Sequence, residues 1–429
     1  MGTGMRASLS QIAAAVGGRL IGPDVSVTGP VVTDSRQAAE GSLFVAVHGE
    51  RTDGHAHLGS AGALGAVGAI VSDLEAARSG TSQGQTQERS MGLVLVEDTV
   101  TALGALARTH LEGLRRAAAD RGERLTVVAM TGSVGKTTTK DLTRQLLARS
   151  GPTVAPRASF NNEIGLPLTV LEADESTRYL VLEMGASGPG HIAYLTGIAP
   201  LDAAGVLMVG HAHMGGFGSI EGVAAAKAEI VAGLRPDGTG ILNADDARAA
   251  AMAELAPARV LTFSSQGRAA DLRAENVVLD AAARAAFDLH LPGLDEPRRV
   301  QLAVAGAHNV ANALAAAGLA LAAGLAPELI AERLGSVSIE SPHRMDVSEL
   351  GGDLLLIDDS YNANIDSMTA ALAVLPALAG DRRRVVVVSE MLELGESSAA
   401  DHARTGELAA QAGAAMLIGI GSTQEALEA

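Results

Sequence analysis

The sequence predicts an α/β protein of three domains: a small α/β N-terminal domain, a central doubly wound, mostly parallel sheet carrying a phosphate-binding loop, and a Rossmann-like C-terminal domain. Three observations predict it. From residue 125 to about 335, short apolar runs alternate with Ala-rich helical stretches, the pattern of a parallel sheet. At residues 126–140, TVVAMTGSVGKTTTK, an apolar run opens directly into a glycine loop and then a helix. Glu183, His211, His213, Asp358, Asp359 and Glu390 all fall at or just past the C-terminal ends of expected strands, the edge at which open α/β sheets bind ligands.

The elements follow in order. In the first domain, 1–115, strand-like runs lie at 25–32, 43–47 and 69–71, with an Ala/Gly helix near 58–64. The charged stretch 115–124 reads as a linker. The central domain, 116–335, has strand candidates at 125–130, 179–184, 203–209, 240–243 and 260–263, and a helix at 136–149 stopped by Gly151-Pro152. The last domain, 336–429, shows strands at 354–357 and 384–389 between Ala-rich helices. No repeat of fixed period is present.

Composition narrows the function. In 429 residues there is no Trp and aromatics are 2%, so the core must be built from Leu, Val, Ile and Ala. A formal net charge of −17 argues against nucleic acid or an anionic membrane as partner, so an anionic nucleotide would have to be met by local positive groups. The absence of cysteine excludes disulfides and thiolate chemistry and fits a reducing cytosol. The N-terminal apolar run is too weak for a secretory signal. The tract 310–326, interrupted by Asn312, Gly318 and Gly324, reads as a buried helix and not a membrane span. A cytoplasmic protein without membrane insertion is expected.

The glycine loop carries the sharpest chemistry. Backbone N–H groups of Gly132, Ser133 and Gly135 and of the helix start at Thr137 and Thr138 would face an anion, Lys136 would reach the outer phosphates, and the Thr137 hydroxyl suits Mg²⁺. A standard phosphate loop has a glycine five residues before Gly135, where this chain has Met130; the loop is short. A plain Gly-rich turn with a chance lysine is the bland alternative. Glu183 ends the run YLVLEMGAS and is either a metal-holding carboxylate or an ordinary strand-end acid. In SIEGVAAAKAEIVAGL, Lys227 falls on the apolar stripe begun by Ile220. It is either a lysine whose stem packs while its amine reaches solvent, or a buried amine that must be paired, neutralised or modified.

His211 and His213 sit in a glycine-rich loop, where without Cys or an H-x-x-x-H helix zinc is not expected. Asn309 stands at a helix start, where capping would explain it. Arg344, in SPHRMDV, lies in the expected hinge before the last domain and suits a planar or phosphate partner. Asp359 belongs to the acidic, amide-rich turn IDDSYNANIDSM.

These segments together resemble the Mur ligase family, ATP-dependent amide-forming enzymes of peptidoglycan precursor synthesis. The resemblance runs from about residue 9 to 417 and includes TDSR at 33–36, the short loop TGSVGKTTTK, SFNNEIGLPLTVL, LEMGAS, AHMGGFGSIEGVAAAKAEI, AGAHNVANALAA, SPHRM, DDSYNAN and EMLELG. The short loop is typical of Mur ligases and folylpolyglutamate synthases. DDSYNAN is similar to the branch that joins D-alanyl-D-alanine to UDP-MurNAc-tripeptide, other branches having a DNAHNP-like sequence there. The resemblance implies ATP and Mg²⁺, with Lys136 on the β- and γ-phosphates and Thr137 and Glu183 on one Mg²⁺. It implies an N-carbamylated Lys227, acting with His213 on a second Mg²⁺. Asn309 would contact adenine, Arg344 and Asp359 would close over the nucleotide, and Ser35 and Arg36 would bind the uridine diphosphate. A monomer is expected.

Met208, Ile365 and Ser389 depart from the family pattern without removing a catalytic group. After MLIGIG the family continues through a further helix and strand, so part of the last sheet is expected to be missing. Another amino-acid-adding Mur ligase, a folylpolyglutamate-type synthase and a non-ligase nucleotide-dependent binding protein remain the alternatives.

Overall fold

Every residue of the strand Thr126–Thr131 is buried, as a continuous Val/Ala/Met run requires where both faces of a parallel sheet are covered. In the computed structural model, which describes residues 4–49, 52–81, 91–210, 217–421 and 423–428, this strand lies third from one end of a nine-stranded sheet. The order across the sheet is Arg298–Ala305, Arg284–His290, Leu272–Leu279, Arg259–Ser264, Leu234–Asn243, Leu201–Val206, Thr126–Thr131, Tyr179–Glu183, Thr153–Val154. Pairs from Leu272–Leu279 through to Thr126–Thr131 run parallel, and so do Tyr179–Glu183 and Thr153–Val154.

The other end is antiparallel, which the expected β/α alternation up to 335 did not include. Its cause is local. Asp280 Oδ1 accepts the N–H groups of Ala282 and Arg284, both at 2.9 Å, closing a turn too short for a crossover helix. Arg284–His290 and Arg298–Ala305 then bury alternate residues, so only one face of this end is covered.

The chain forms two compact units. The first comprises Met1–Val127, Gly151–Leu182 and Tyr194–Pro200. It holds a five-stranded sheet in the order Arg19–Ile21, Gly92–Leu95, Gly68–Val71, Leu43–Val45, Val31–Val32, packed around Val32, Phe44, Leu58, Val71 and Leu93. The run expected as one strand at 25–32 is two. Ser26–Val27 pairs with Ala7–Ser8 and Val31–Val32 joins the sheet, because Gly29-Pro30 removes a ladder donor between them. The stretch 115–124 is not a linker over most of its length. The helix Thr99–Asp120, capped by Asp98 on the Thr101 N–H (2.6 Å), carries through it and buries Leu111, Leu114 and Ala118 along one stripe.

The second unit comprises Val128–Ser150, Glu183–Ala193 and Leu201–Ala429. Here the helix Asn309–Ala322, buried on nearly every face, packs against the helix Lys136–Ala148 and against the sheet, in agreement with the expected buried helix. Its last region has an antiparallel pair, Asp346–Gly351 with Leu354–Asp358, and a parallel pair, Val385–Ser389 with Met416–Ile420, over a core of Leu372, Val386, Val388 and Ala409. Among the described residues no helix is long and apolar enough to cross a membrane.

Candidate functional site

The loop between Thr131 and Lys136 is folded around three anchors. Ser133 N–H donates to Met208 O (3.0 Å), Ser133 Oγ donates to Gly210 O (3.1 Å), and Gly210 N–H returns a bond to Ser133 Oγ (2.8 Å). Gly135 then starts the helix Lys136–Ala148 at φ 85° with no side-chain cap, so the first helical N–H groups face the loop instead of a capping side chain. This is the arrangement an anion requires. Only glycine fits at 135, because a Cβ there would lie 2.4 Å from Asn312 Oδ1. Asn312 is placed by its neighbour: its Nδ2 donates to Asn309 Oδ1 at 2.8 Å, and Asn309 Nδ2 donates to Ala305 O at 2.7 Å. Asn309 is therefore inside the first turn and not a cap; it holds the residue against which the phosphate loop packs.

Lys136 Nζ lies on the loop carbonyl of Gly132 at 2.6 Å. Desolvation of this ammonium holds its pKa below the usual lysine range; Glu183 opposes the shift and Arg344 adds to it. Thr137 Oγ1 donates to Glu183 Oε2 at 2.9 Å, with both residues buried, so the end of Tyr179–Glu183 and the start of the loop helix bring a hydroxyl and a carboxylate together. Arg344 Nη2 reaches Thr137 Oγ1 at 3.4 Å, and its guanidinium stacks on Tyr361, 4.2 Å from the ring centroid. Asp359 Oδ1 accepts the Met345 N–H at 3.0 Å; burial raises its pKa, against the pull of that bond and of Arg344.

Lys227, on the helix Ile220–Ala232, is buried with 4% of its surface exposed, which decides between the two sequence readings against a snorkelling amine. Burial, with a smaller push from Lys136, lowers its pKa to about 7. His211 and His213 lie outside the described residues. Within the first unit, Ser35 and Arg36 begin a short 3₁₀ turn capped by Asp34, whose carboxylate holds the exposed Arg36 guanidinium at 2.6–3.1 Å.

Comparison with known proteins gives the family. Three family models match in succession: the Mur ligase family catalytic domain over 30–111, the Mur ligase middle domain over 130–320 and the Mur ligase glutamate ligase domain over 343–429. The chain belongs to the Mur ligase family. It is 42% identical to the UDP-N-acetylmuramoyl-tripeptide–D-alanyl-D-alanine ligase of Mycobacterium tuberculosis H37Rv, over 97% of this chain and 83% of that one. It is 36% identical to the ligase of the same name from Escherichia coli K12, over 98% and 87%. Among solved structures it is similar to MurF of Acinetobacter baumannii (TM-score 0.85, 33% identity, 99% of this chain and 88% of that one). It is also similar to the MurF ligase of Thermotoga maritima in complex with ADP (TM-score 0.71, 26% identity, 93% and 96%).

Three residues of this Mur ligase site escaped the sequence reading. Tyr361 was visible only within the turn IDDSYNANIDSM and Asn312 only as an interruption of the tract 310–326, and Asp141 was not singled out. None carries a local signal for its partner, because Arg344, Gly135 and Ser341 are brought to them by packing. Gly135→Ala in this Mur ligase should cost about 1–2 kcal/mol from the left-handed backbone alone, with the Asn312 clash added. A lowered melting temperature with weakened ATP binding is the expected result; an unchanged melt and unchanged affinity would contradict it.

Proposed function

We propose that this enzyme joins D-alanyl-D-alanine to UDP-MurNAc-tripeptide with hydrolysis of ATP to ADP and phosphate, in peptidoglycan precursor synthesis. The observation that carries the reading is the buried Thr137–Glu183 pair beside Lys136 and an uncapped helix start, in a chain 42% identical over nearly its whole length to ligases of that name.

The chemistry follows from what a carboxylate lacks, which is a leaving group. The terminal carboxylate oxygen of the tripeptide bonds to the γ-phosphorus of ATP as the bond to the β-phosphate oxygen breaks, giving an acyl phosphate and ADP. The amine of D-alanyl-D-alanine then attacks the acyl carbon, inorganic phosphate departs with the C–O electron pair, and the amine loses its proton. Lys136 and the first N–H groups of Lys136–Ala148 stabilise charge on the transferring phosphoryl group by position and electrostatics. Gly132, Ser133, Gly135, Thr137 and Thr138 cradle the phosphates. The adjacent oxygens of Thr137 and Glu183 fit a hard cation, so these two would hold Mg²⁺, which supplies Lewis-acid polarisation of phosphate oxygens when bound. Lys227, as a carbamate formed on its neutral amine, would join His213 in supporting a second Mg²⁺. Asn309 would lie at the adenine, Arg344 and Asp359 over the nucleotide, and Ser35 and Arg36 at the uridine diphosphate. A monomer in the cytoplasm is the accompanying reading.

ADP release with UDP-MurNAc-tripeptide and D-alanyl-D-alanine tests it. Turnover with the dipeptide and none with single amino acids is expected. Turnover with a single amino acid instead would assign the chain to a sister ligase, and none with either would remove the ligase reading.

A further inference from the structure

The segment that leads into the last region does not cross the central one freely; it is bonded, residue by residue, along the back of the phosphate-loop helix. Gln145 Nε2 donates to Ser338 O (2.6 Å) and Ser338 N–H donates to Gln145 Oε1 (3.1 Å). One residue nearer the loop, Arg144 pairs with Glu340. Asp141 Oδ2 then accepts both the Glu340 N–H (3.0 Å) and the Ser341 N–H (2.8 Å), while Asp141 Oδ1 accepts the Ser341 hydroxyl at 3.2 Å. Lys140 Nζ completes the set, 2.6 Å from Asp141 Oδ1 and 3.0 Å from Ser341 Oγ. Lys140 and Asp141 are each 1% exposed.

The register of this zipper places Arg344. Thr137 and Asp141 lie one turn apart on the same helix face, and Ser341 precedes Arg344 by three residues, so a segment fixed at Ser341 on Asp141 brings Arg344 to Thr137. Segment 338–341 falls between the two family models, which end at 320 and begin at 343. Immediately beyond it the backbone changes character. His343 (φ 59°) and Met345 (φ 50°), both non-glycine, sit in the left-handed region on either side of Arg344. Each is held to the far side: His343 Nδ1 to Asp358 Oδ2 at 2.6 Å, Met345 N–H to Asp359 Oδ1 at 3.0 Å.

The geometry points to Asp141, neutralised by Lys140, as a positioning residue for the ligase reaction: it fixes segment 338–341 on the phosphate-loop helix, makes His343–Met345 the pivot of the last region, and delivers Arg344 to the phosphate end of the nucleotide. A buried carboxylate that accepts two consecutive backbone N–H groups suits this role, since it sets both the position and the direction of the chain leaving it. The inference rests on the ATP-ligase reading above.

The test uses the full chain with Mg²⁺ and ATP. Asp141→Asn keeps shape and removes charge. The double variant Lys140→Met/Asp141→Leu replaces the buried pair by apolar volume, a change that cores tolerate, while removing the acceptor for the two N–H groups. ATP affinity by titration calorimetry and ADP release with both other substrates are read below the melting transition. The expected result is ATP binding weakened roughly tenfold in both variants, with the KM for D-alanyl-D-alanine unchanged. A role confined to stability would lower the melting temperature and leave the ATP affinity of the folded protein as in the parent, and that result overturns the proposal. A double variant that fails to fold does so as well, since the pair is then needed for the fold itself. If the parent binds no ATP, the ligase reading fails; if the parent binds ATP and turns over while the folded variants match it, only the positioning role fails.

Discussion

Lys136→Ala should abolish turnover while leaving the protein folded. Among the described residues the side chain bonds to the loop carbonyls of Gly132 and Ser133, and desolvation already disfavours its ammonium, so removing it should not loosen the core. In the reaction the same charge lies where negative charge moves between the β-phosphate, the γ-phosphoryl group and the acyl oxygen. Loss of one such preorganised charge costs on the order of 10²–10³ in rate, and ADP release should fall by at least that factor. Circular dichroism and thermal melting should match the parent. A folded variant that releases ADP at a near-normal rate would remove Lys136, and with it the loop, from the site.

Lys227→Ala is the second large effect, with the opposite electrostatic logic. A buried cation next to Lys136 would repel Mg²⁺ and the phosphoryl group. A carbamate, formed when the neutral amine takes up CO₂, would be an anionic support. The amine titrates near 7 in the fold, so at neutral pH an appreciable fraction is already the nucleophilic free base. Lys227→Ala should therefore be nearly inactive and should recover part of its rate with an added short carboxylate such as formate. No recovery, together with an amine that stays unmodified in crystals grown with bicarbonate, Mg²⁺ and nucleotide, would refute the carbamate.

The same amine gives a stability signature. Between pH 7 and the free-lysine value of 10.5 the unfolded chain binds more protons at this site than the folded one, so Lys227 makes stability rise with pH across that window. Below 7 both states are protonated, the cost of the buried charge is fully present, and the site contributes no slope. Melting temperature measured from pH 7 to 9 without bicarbonate should climb less steeply in Lys227→Met than in the parent. Parallel curves would show that the amine is not buried as described.

The site was legible where its chemistry is local in the chain. A glycine loop between an apolar strand and a helix, a carboxylate ending a later strand and a lysine on an apolar stripe are each set by short-range spacing, and in the structure Lys136 Nζ lies on the loop carbonyl of Gly132 while Thr137 Oγ1 donates to Glu183. Periodicity placed Lys227 inward but left its amine free to snorkel; burial on the helix Ile220–Ala232 decided that. The antiparallel end of the sheet was hidden because its last two strands bury one face only and follow a turn that depends on Asp280. The helix through 115–120 was hidden because a charged surface face looks like a linker when the buried stripe beneath it is thin.

By itself, then, the sequence determined the α/β class, the short glycine loop and the residue types at the strand and helix ends around it. These follow from backbone conformation and side-chain period within a few residues of one another. Only the tertiary structure decided the contacts made across about 170 to 210 positions, Thr139 and Gly135 on Asn312, Asp141 on Ser341 and Thr137 on Arg344, and the stacking of Arg344 on Tyr361 seventeen positions away. The physical reason is that a hydrogen bond or an ion pair records no sequence distance. Either partner alone is an ordinary polar residue until packing removes water from both, and only then does the unsatisfied cost of one specify the other.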